Sequence, residues 1–146
     1  MARVKIKFPA QTPLHTVTIP VRIGDVNYGG HVGNDAILSI IHEARVQLFN
    51  YWGFTELNAG GNALIMADVM IAYRGEAFYG DILTIEFYTE EITTRSFDIL
   101  YHITTLRNGA VTDIAHAKTG LVCYNYETHK TENLKPELEH RLKGGA

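Results

Sequence analysis

Apolar residues follow the period of an α-helix in one stretch of the chain, residues 35–52, where they recur every three or four positions. The members of this stripe are Ile37, Ile40, Ile41, Ala44, Leu48 and Trp52. Gly53 follows directly and predicts the end of the helix. Asn34 or Asp35 is predicted to cap its start. The pattern therefore predicts one long helix with an apolar face.

Most of the remaining chain is predicted to form strands, because β-branched and aromatic residues alternate in runs bounded by glycine and polar residues. The predicted strands cover residues 14–22, 64–73, 81–90, 96–106 and 110–126, and a short helix is predicted over 134–142. Pro20 places the first strand at an edge or a bulge. This order predicts an α+β fold in which an antiparallel sheet curls around a helix. Long exposed strands also predict self-association as a dimer or tetramer.

Length and charge narrow the range of partners. A chain of 146 residues is expected to form a single domain, with a core over residues 14–126 and a tail over 127–146. The 13 basic and 16 acidic residues are interspersed, so nucleic acid is not an expected partner. No apolar run reaches the roughly 18 residues of a membrane span, and the first residues lack the apolar core of a signal peptide. We expect a cytoplasmic protein without membrane insertion.

Cysteine usage argues against disulfides and zinc clusters. Cys123 is the only cysteine, and no Cys-x-x-Cys pair or cysteine and histidine cluster with zinc spacing occurs. We expect no metal site, and we expect Cys123 to be a small buried apolar residue.

The segment DVNYGGHVGN, residues 25–34, is the strongest candidate for chemistry. Adjacent glycines let backbone N–H groups approach a ligand, and a helix start offers unpaired N–H donors to a carbonyl that gains negative charge. These features supply half of an acyl-transfer site. The other half is a base or nucleophile, for which the candidates are Asp25, His31, Asp35 and Glu43.

The loop and the helix also resemble a known family, the hotdog-fold acyl-CoA thioesterases of the 4-hydroxybenzoyl-CoA thioesterase type. That family carries Arg-x-x-Asp-x-Asp-x-x-Gly-His-Val-Asn-Asn and then a helix with Glu-Ala-Arg. The matching residues here are Arg22, Asp25, Asn27, Gly30, His31, Val32, Gly33 and Asn34, followed by Glu43, Ala44 and Arg45. Tyr73, the stretch 80–85 and Arg95-Ser96-Phe97 match later family motifs, so the resemblance spans residues 17–125.

The resemblance implies a single hotdog domain, with an antiparallel sheet wrapped around a long central helix. It also implies hydrolysis of an acyl-CoA thioester in a cleft at a dimer interface, with coenzyme A as part of the substrate and no separate cofactor. Arg95 stands where similar thioesterases meet the phosphates of coenzyme A. The candidate catalytic residues are Asn27, His31, Asp25 and Glu43, and the candidate substrate-binding residues are Tyr28, Gly30, Asn34 and Arg95.

The sequence departs from the family at Asn27, which stands where the usual catalytic aspartate is found. A carboxamide cannot accept a proton near neutral pH, although it can position water or a thioester carbonyl. Three hypotheses follow. The base has moved to His31 or Glu43, or the protein binds acyl thioesters without hydrolysing them. In the third, Asp25-x-Asn27 with His31 resembles the Asp-x-Asn-Pro-Ile-His motif of hotdog enoyl-CoA hydratases, here without its proline and with the histidine one residue later.

Overall fold

The computed structural model describes residues 3–146, which form six strands and two α-helices. A short 3-10 turn, Ile23–Asp25, precedes the long helix. The elements are β1 (His15–Pro20), α1 (Asn34–Tyr51), β2 (Leu64–Tyr73), β3 (Ile82–Glu90), β4 (Ser96–Arg107), β5 (Ala110–Asn125), β6 (Lys130–Thr131) and α2 (Pro136–Leu142). Within these residues, no helix is both long and apolar enough to cross a membrane. Each predicted helix and strand is therefore present, with bounds that differ by at most two residues.

The five long strands form one antiparallel sheet in the order β1-β3-β4-β5-β2, and β6 adds a short pairing to β5. β1 and β2 are therefore the edges of the main sheet. Pro20 lies in edge strand β1, as its missing N–H predicts. β4 and β5 are joined by a tight turn in which Asn108 and Gly109 have φ values of 52° and 78°. These are the left-handed conformations that a two-residue hairpin turn requires.

α1 packs its apolar stripe against one face of this sheet. Ile37, Ile40, Ile41, Ala44 and Leu48 are all buried. The facing side chains of the sheet alternate along their strands, as expected for a sheet with one buried face. They include Leu83, Ile85 and Phe87 of β3 and Phe97, Ile99, Tyr101 and Ile103 of β4. The predicted α+β architecture, an antiparallel sheet around a long helix, is confirmed.

One charged residue of α1, Arg45, is buried within this apolar interface and is only 5% exposed. Its Nε donates to the carboxylate of Glu56, and its Nη1 donates to the Tyr101 hydroxyl at 3.3 Å. The Tyr101 hydroxyl also lies 2.6 Å from Oγ1 of Thr119 on β5. Burial raises the pKa of Tyr101, so its phenol stays neutral. The network joins α1, β4 and β5 at the centre of the core.

The single thiol, Cys123, is fully buried on β5, as predicted. Burial and the nearby Glu132 carboxylate raise the pKa of this thiol to about 11. Since the thiolate is the reactive form, Cys123 is an inert core residue.

We predict that Glu56→Gln lowers the free energy of unfolding by about 3 kcal/mol, because it leaves the Arg45 guanidinium buried without a counter-charge. The value is at the lower end for a broken buried ion pair, since the Glu56 side chain is 29% exposed. Urea unfolding at one fixed protein concentration measures the change.

Glu43→Gln is the matched control for this experiment. Glu43 lies on the exposed side of α1 and accepts a hydrogen bond from Gln47 at 2.9 Å. Its replacement is expected to change stability by less than about 0.5 kcal/mol. Equal losses in the two variants would show that the Arg45 pair does not stabilise the core.

Candidate active site

The loop between the 3-10 turn and α1 folds back on itself as a small hairpin. Asn27 N–H donates to the His31 carbonyl at 3.0 Å, and Gly30 N–H donates to the Asn27 carbonyl at 3.0 Å. Val26 and Val32 form an isolated antiparallel bridge at its base. Gly30 has a φ of 86°, in the left-handed region that side chains rarely adopt. Gly30 therefore has a conformational role in the turn that brings Asn27 and His31 together.

Backbone hydrogen bonds fix this hairpin to the rest of the fold. Val32 N–H donates to the carbonyl of Ala77 at 2.8 Å, in the segment between β2 and β3. Gly33 N–H donates to the carbonyl of Asp25 at 3.1 Å. The position of the loop therefore depends on backbone geometry and little on the identity of its exposed side chains.

α1 begins without a side-chain cap, so the predicted capping by Asn34 or Asp35 is wrong. Gly33 is the N-cap residue, and its carbonyl accepts the N–H groups of Ala36 and Ile37 at 3.1 and 3.3 Å. Glycine is acceptable at this position, although it offers no side-chain acceptor. Among residues 3–146, the N–H groups of Asn34 and Asp35 have no hydrogen-bond acceptor, so this helix start offers two donors to a ligand.

Asp25, a predicted catalytic residue, is buried at 7% exposure. Its Oδ2 accepts the backbone N–H of Arg22 at 2.8 Å and lies 3.6 Å from Arg22 Nε. The carboxylate thus closes the 3-10 turn in the manner of a capping box. This arrangement shapes the loop and directs the carboxylate toward Arg22.

Asn27 and His31 lie side by side on the exposed part of the loop. Asn27 Oδ1 accepts the N–H of Gly29 at 2.9 Å, which leaves the amide N–H2 group of Asn27 as its outward donor. A side-chain carbon placed on Gly29 would lie 3.1 Å from Asn27 Oδ1 and 3.5 Å from His31 Nε2. The two polar groups therefore converge on one side of Gly29, and this position has little space for a side chain.

His31 is held in an orientation that suits a general base. Its Nδ1 lies 3.3 Å from the Val32 carbonyl, which can only accept a hydrogen bond. A proton on Nδ1 leaves Nε2 with a free lone pair, which is the form that takes a proton from water.

A cavity of about 270 Å³ opens between the loop, the start of α1 and the end of β2. Its lining residues are His31, Val32, Asn34, Ile37, Tyr73, Gly75, Glu76, Ala77 and Ile114. His31 and the first residue of α1 therefore share one cavity. The role of His31 as a base stays a prediction.

Two further polar residues of the cavity, Tyr73 and Glu76, were not among the predicted site residues. The Tyr73 hydroxyl donates to the backbone carbonyl of Asn34 at 3.0 Å and so ties the end of β2 to the helix start. Glu76 adds a carboxylate to the lining. Tyr73 was one of the matched family motifs, which was the available signal for it, whereas the sequence around Glu76 offers none.

Glu43 lies away from this cavity within the chain. It is nine residues along α1 from Asn34, about 13.5 Å at the rise of an α-helix. Its side chain accepts a hydrogen bond from Gln47 and lines a separate cavity of about 380 Å³ with Phe54 and Glu56. One copy of the chain does not bring Glu43 to the loop.

Arg95 also lies elsewhere, at the opposite end of the sheet. The neighbouring Ser96 pairs with Val122 of β5, whereas Tyr73 at the cavity pairs with Ala115, seven residues or about 23 Å away along the strand.

The Arg95 guanidinium is engaged locally, donating to Asn133 Oδ1 at 3.1 Å and to Thr131 Oγ1 at 2.8 Å. Tyr28, another predicted substrate-binding residue, stands fully exposed at the tip of the loop. Neither side chain reaches the cavity within one copy of the chain.

Comparison with known proteins agrees with this geometry. The profile of the thioesterase-like superfamily matches residues 21–142. The long-chain acyl-CoA thioesterase FadM of Escherichia coli (strain K12) is 31% identical over 114 residues, which is 77% of this chain and 85% of FadM.

Solved structures of thioesterases share the fold. Slr0204, a 1,4-dihydroxy-2-naphthoyl-CoA thioesterase from Synechocystis, superposes with a TM-score of 0.76 at 21% identity, covering 88% of this chain and 94% of its own. The Dynemicin thioesterase superposes with a TM-score of 0.78 at 16% identity, covering 88% and 94%. The sheet around a central helix is therefore the hotdog fold, as predicted. With a matching profile over most of its length and a relative above 30% identity, the chain belongs to the thioesterase-like superfamily.

Proposed function

We propose that this protein is an acyl-CoA thioesterase that hydrolyses its substrate in the cavity between the hairpin loop and the start of α1. The observation that carries the proposal is the meeting of His31 with the unpaired N–H donors of the helix start in one cavity. The relationship to E. coli FadM, a long-chain acyl-CoA thioesterase, supports an acyl-CoA as the substrate class.

The proposed reaction uses the helix start to stabilise negative charge. The thioester carbonyl oxygen accepts hydrogen bonds from the N–H groups of Asn34 and Asp35. These hydrogen bonds strengthen as the oxygen becomes an oxyanion. His31 Nε2 removes a proton from water as the water oxygen bonds to the carbonyl carbon. The tetrahedral intermediate then breaks its carbon–sulfur bond, and the leaving thiolate takes the proton from His31. Water and thioester give carboxylic acid and free coenzyme A, so the balance requires no separate cofactor.

Asn27 has a positioning role in this proposal. Its Oδ1 is occupied by Gly29 N–H, so the amide N–H2 group is the part available to the substrate or the attacking water. Asp25 and Gly30 do not contact the substrate in this proposal, and they act by shaping the loop that carries Asn27 and His31. Glu76 contributes a carboxylate to the lining of this cavity.

The proposed enzyme is a dimer that pairs through β2, with a dimer of dimers as a further assembly. β2 is an edge of the sheet, and edge strands with apolar side chains favour pairing with another strand. Ile65, Met66, Val69 and Met70 are each between 37% and 40% exposed in the single chain. A cavity of about 270 Å³ is also slightly smaller than typical ligand pockets of about 300–1,000 Å³, which supports completion by a second copy.

Antiparallel pairing of two β2 strands also gives a role to Arg95. Leu64 at the start of β2 pairs with Cys123, whose N–H donates to the Arg95 carbonyl at 2.9 Å. Arg95 therefore lies beside the Leu64 end of β2, and the cavity lies beside the Tyr73 end. In an antiparallel pair these ends meet across the interface, so Arg95 of the partner subunit approaches the cavity and the coenzyme A phosphates. Glu43 would likewise reach a site only across such an interface.

We predict that His31→Ala lowers kcat for acyl-CoA hydrolysis by about 100-fold or more, the usual contribution of a general base, with a smaller change in KM. Release of free thiol from short, long and aromatic acyl-CoAs measures the rate. His140→Ala is the matched control, because His140 lies in α2 and contacts the Ala146 carbonyl at the carboxyl end of the chain. If both variants keep wild-type kcat, His31 is not the base.

Replacement of Asn27 by aspartate tests whether the chain is an enzyme or a binding protein. Under the proposed mechanism the wild type turns over, and Asn27→Asp lowers kcat by about 10-fold to 100-fold because the N–H2 donor is lost. Thiol release measures this change, with equilibrium binding of acyl-CoA in parallel. A wild type that binds acyl-CoA without turnover, together with a strong gain of activity in Asn27→Asp, would contradict the proposal and favour a non-catalytic acyl-thioester-binding protein.

We also predict that the wild type sediments as a dimer or tetramer at micromolar concentration. Met70→Lys is expected to raise the dimer dissociation constant by about 100-fold or more, because pairing through β2 would bury the added charge. Val111→Lys is the control, since Val111 is 74% exposed near the β4–β5 turn and away from β2. A monomeric wild type, or equal effects of the two lysines, would exclude β2 as the interface.

A further inference from the structure

A row of polar side chains crosses the face of the sheet that does not contact α1. Glu86 of β3 pairs with His102 of β4, and His102 pairs with His116 of β5. His116 in turn pairs with Ala72 of β2. Directly paired residues of neighbouring strands lie on the same face, so these side chains are neighbours. They lie opposite to Tyr73, whose side chain reaches α1.

A β-bulge brings Asp113 into this row. Ile103 pairs with Ala115, but the next residue, Thr104, pairs with Asp113, so β5 has one extra residue at this point. In a regular strand, residues three positions apart point to opposite faces. The bulge removes this separation and places Asp113 on the same face as His116, which is how bulges re-aim side chains.

The resulting cluster is compact. His102 Nε2 lies 2.9 Å from Asp113 Oδ1, and His116 Nε2 lies 2.8 Å from Asp113 Oδ2. All three potential ligand atoms lie within 4.8 Å of one another. Burial alone raises the pKa of the Asp113 carboxyl, but the hydrogen bonds from the two imidazoles lower it overall, so Asp113 is an anion.

The cluster is shielded on one side and open on another. The Phe8 ring stacks on His102 with centroids 4.8 Å apart and meets His116 edge-on at 5.1 Å. The His116 side chain is 14% exposed and the Asp113 side chain 47% exposed. An ion could therefore reach the cluster from the Asp113 side, while Phe8 covers one side of the two imidazoles.

We propose that His102, Asp113 and His116 bind a divalent transition-metal ion of the zinc class, with water as a further ligand. Two imidazoles and one carboxylate are a common ligand set for such ions. Ligand atoms about 2.1 Å from a tetrahedral ion are about 3.4 Å apart. The three ligand atoms already lie within 4.8 Å of one another, so each separation needs to close by no more than about 1.4 Å. Binding requires each Nε2 to lose the proton that now points to Asp113, and this proton moves to Nδ1 of the same ring or is released to solvent. The site is independent of the proposed thioesterase reaction.

The surroundings of the two histidines differ, and this difference determines the affinity for the ion that we expect. Nδ1 of His102 lies 3.6 Å from a Glu86 carboxylate oxygen. Glu86 thus resembles the carboxylate that commonly orients a metal-binding histidine through its second ring nitrogen. Nδ1 of His116 is buried and has no hydrogen-bond partner among the described residues. Because a missing outer partner typically costs about 10-fold to 100-fold in affinity, we expect a micromolar site and not a nanomolar one.

The bound ion would have a structural role. It would join β4 to the bulge of β5 on the face opposite to the proposed active site, and it would fix the surface on which Phe8 rests. This contrasts with the expectation of no metal site, because the ligands lie on two strands without a spacing that is recognisable in the sequence. Only the strand register and the bulge bring Asp113 to His102.

Titration of the full-length protein with Zn²⁺ by calorimetry tests this inference, and Co²⁺ replaces Zn²⁺ for visible absorption. We expect one ion per chain with micromolar affinity, and a Co²⁺ spectrum of low coordination number. His116→Gln and Asp113→Asn are expected to weaken Zn²⁺ binding by at least about 10-fold. His140→Gln, a change at an exposed histidine of α2, should bind like the wild type.

The Co²⁺ spectrum is recorded on the unaltered chain, so it does not depend on whether a variant folds. Asp113→Asn preserves side-chain volume, and its circular dichroism is compared with that of the wild type. The inference would be overturned if neither Zn²⁺ nor Co²⁺ bound at an ion concentration of about 100 μM, roughly 100-fold above the expected dissociation constant. Binding that persists unchanged in His116→Gln and Asp113→Asn would overturn it as well, since the ion would then lie elsewhere.

Discussion

The packing of α1 on the sheet is the constraint on which the rest of the structure depends. Ile41, Ala44 and Leu48 are completely buried in this contact, and Arg45 extends it through Tyr101 into β5. This packing fixes the axis of α1 and therefore the direction in which its first N–H groups point. The Val32 backbone hydrogen bond then holds the hairpin loop at the same place. The candidate active site is a consequence of core packing and needs few side chains of its own.

This dependence explains how the loop tolerates Asn27. Its shape comes from backbone hydrogen bonds, from the left-handed Gly30 and from the buried Asp25, none of which requires an aspartate at position 27. The oxyanion donors likewise belong to the backbone. A change at residue 27 therefore alters the proton chemistry without altering the geometry, and the proposed mechanism assigns the base to a neighbouring residue. His31 satisfies this requirement, since its Nδ1 contact with Val32 leaves Nε2 free.

Much of the fold could be predicted from the sequence, because periodicity reports directly on burial. The apolar patterns predicted both α-helices and the five long strands, and Pro20 predicted an edge, whereas the short β6 and the 3-10 turn were not predicted. The candidate site could be predicted only where its residues are close together in the sequence. The hairpin and His31 lie within one short segment, whereas the distances of Glu43 and Arg95 from the cavity depend on sheet order. The cap at Gly33 was missed because glycine offers no side-chain signal.

The strand alternation that buries one face of the sheet also places the candidate active site and the His102, Asp113 and His116 cluster on opposite faces. Tyr73 faces the helix start, and Ala72, its neighbour in β2, lies on the opposite face beside His116. Side chains of a cluster on that outer face can therefore be replaced without disturbing the cavity, since only the backbone of β2 and β5 connects the two. The bulge at Asp113 adds a residue where β5 passes both features, next to the Ile114 side chain that lines the cavity. One backbone irregularity thus shapes the inner cavity and assembles the outer polar cluster.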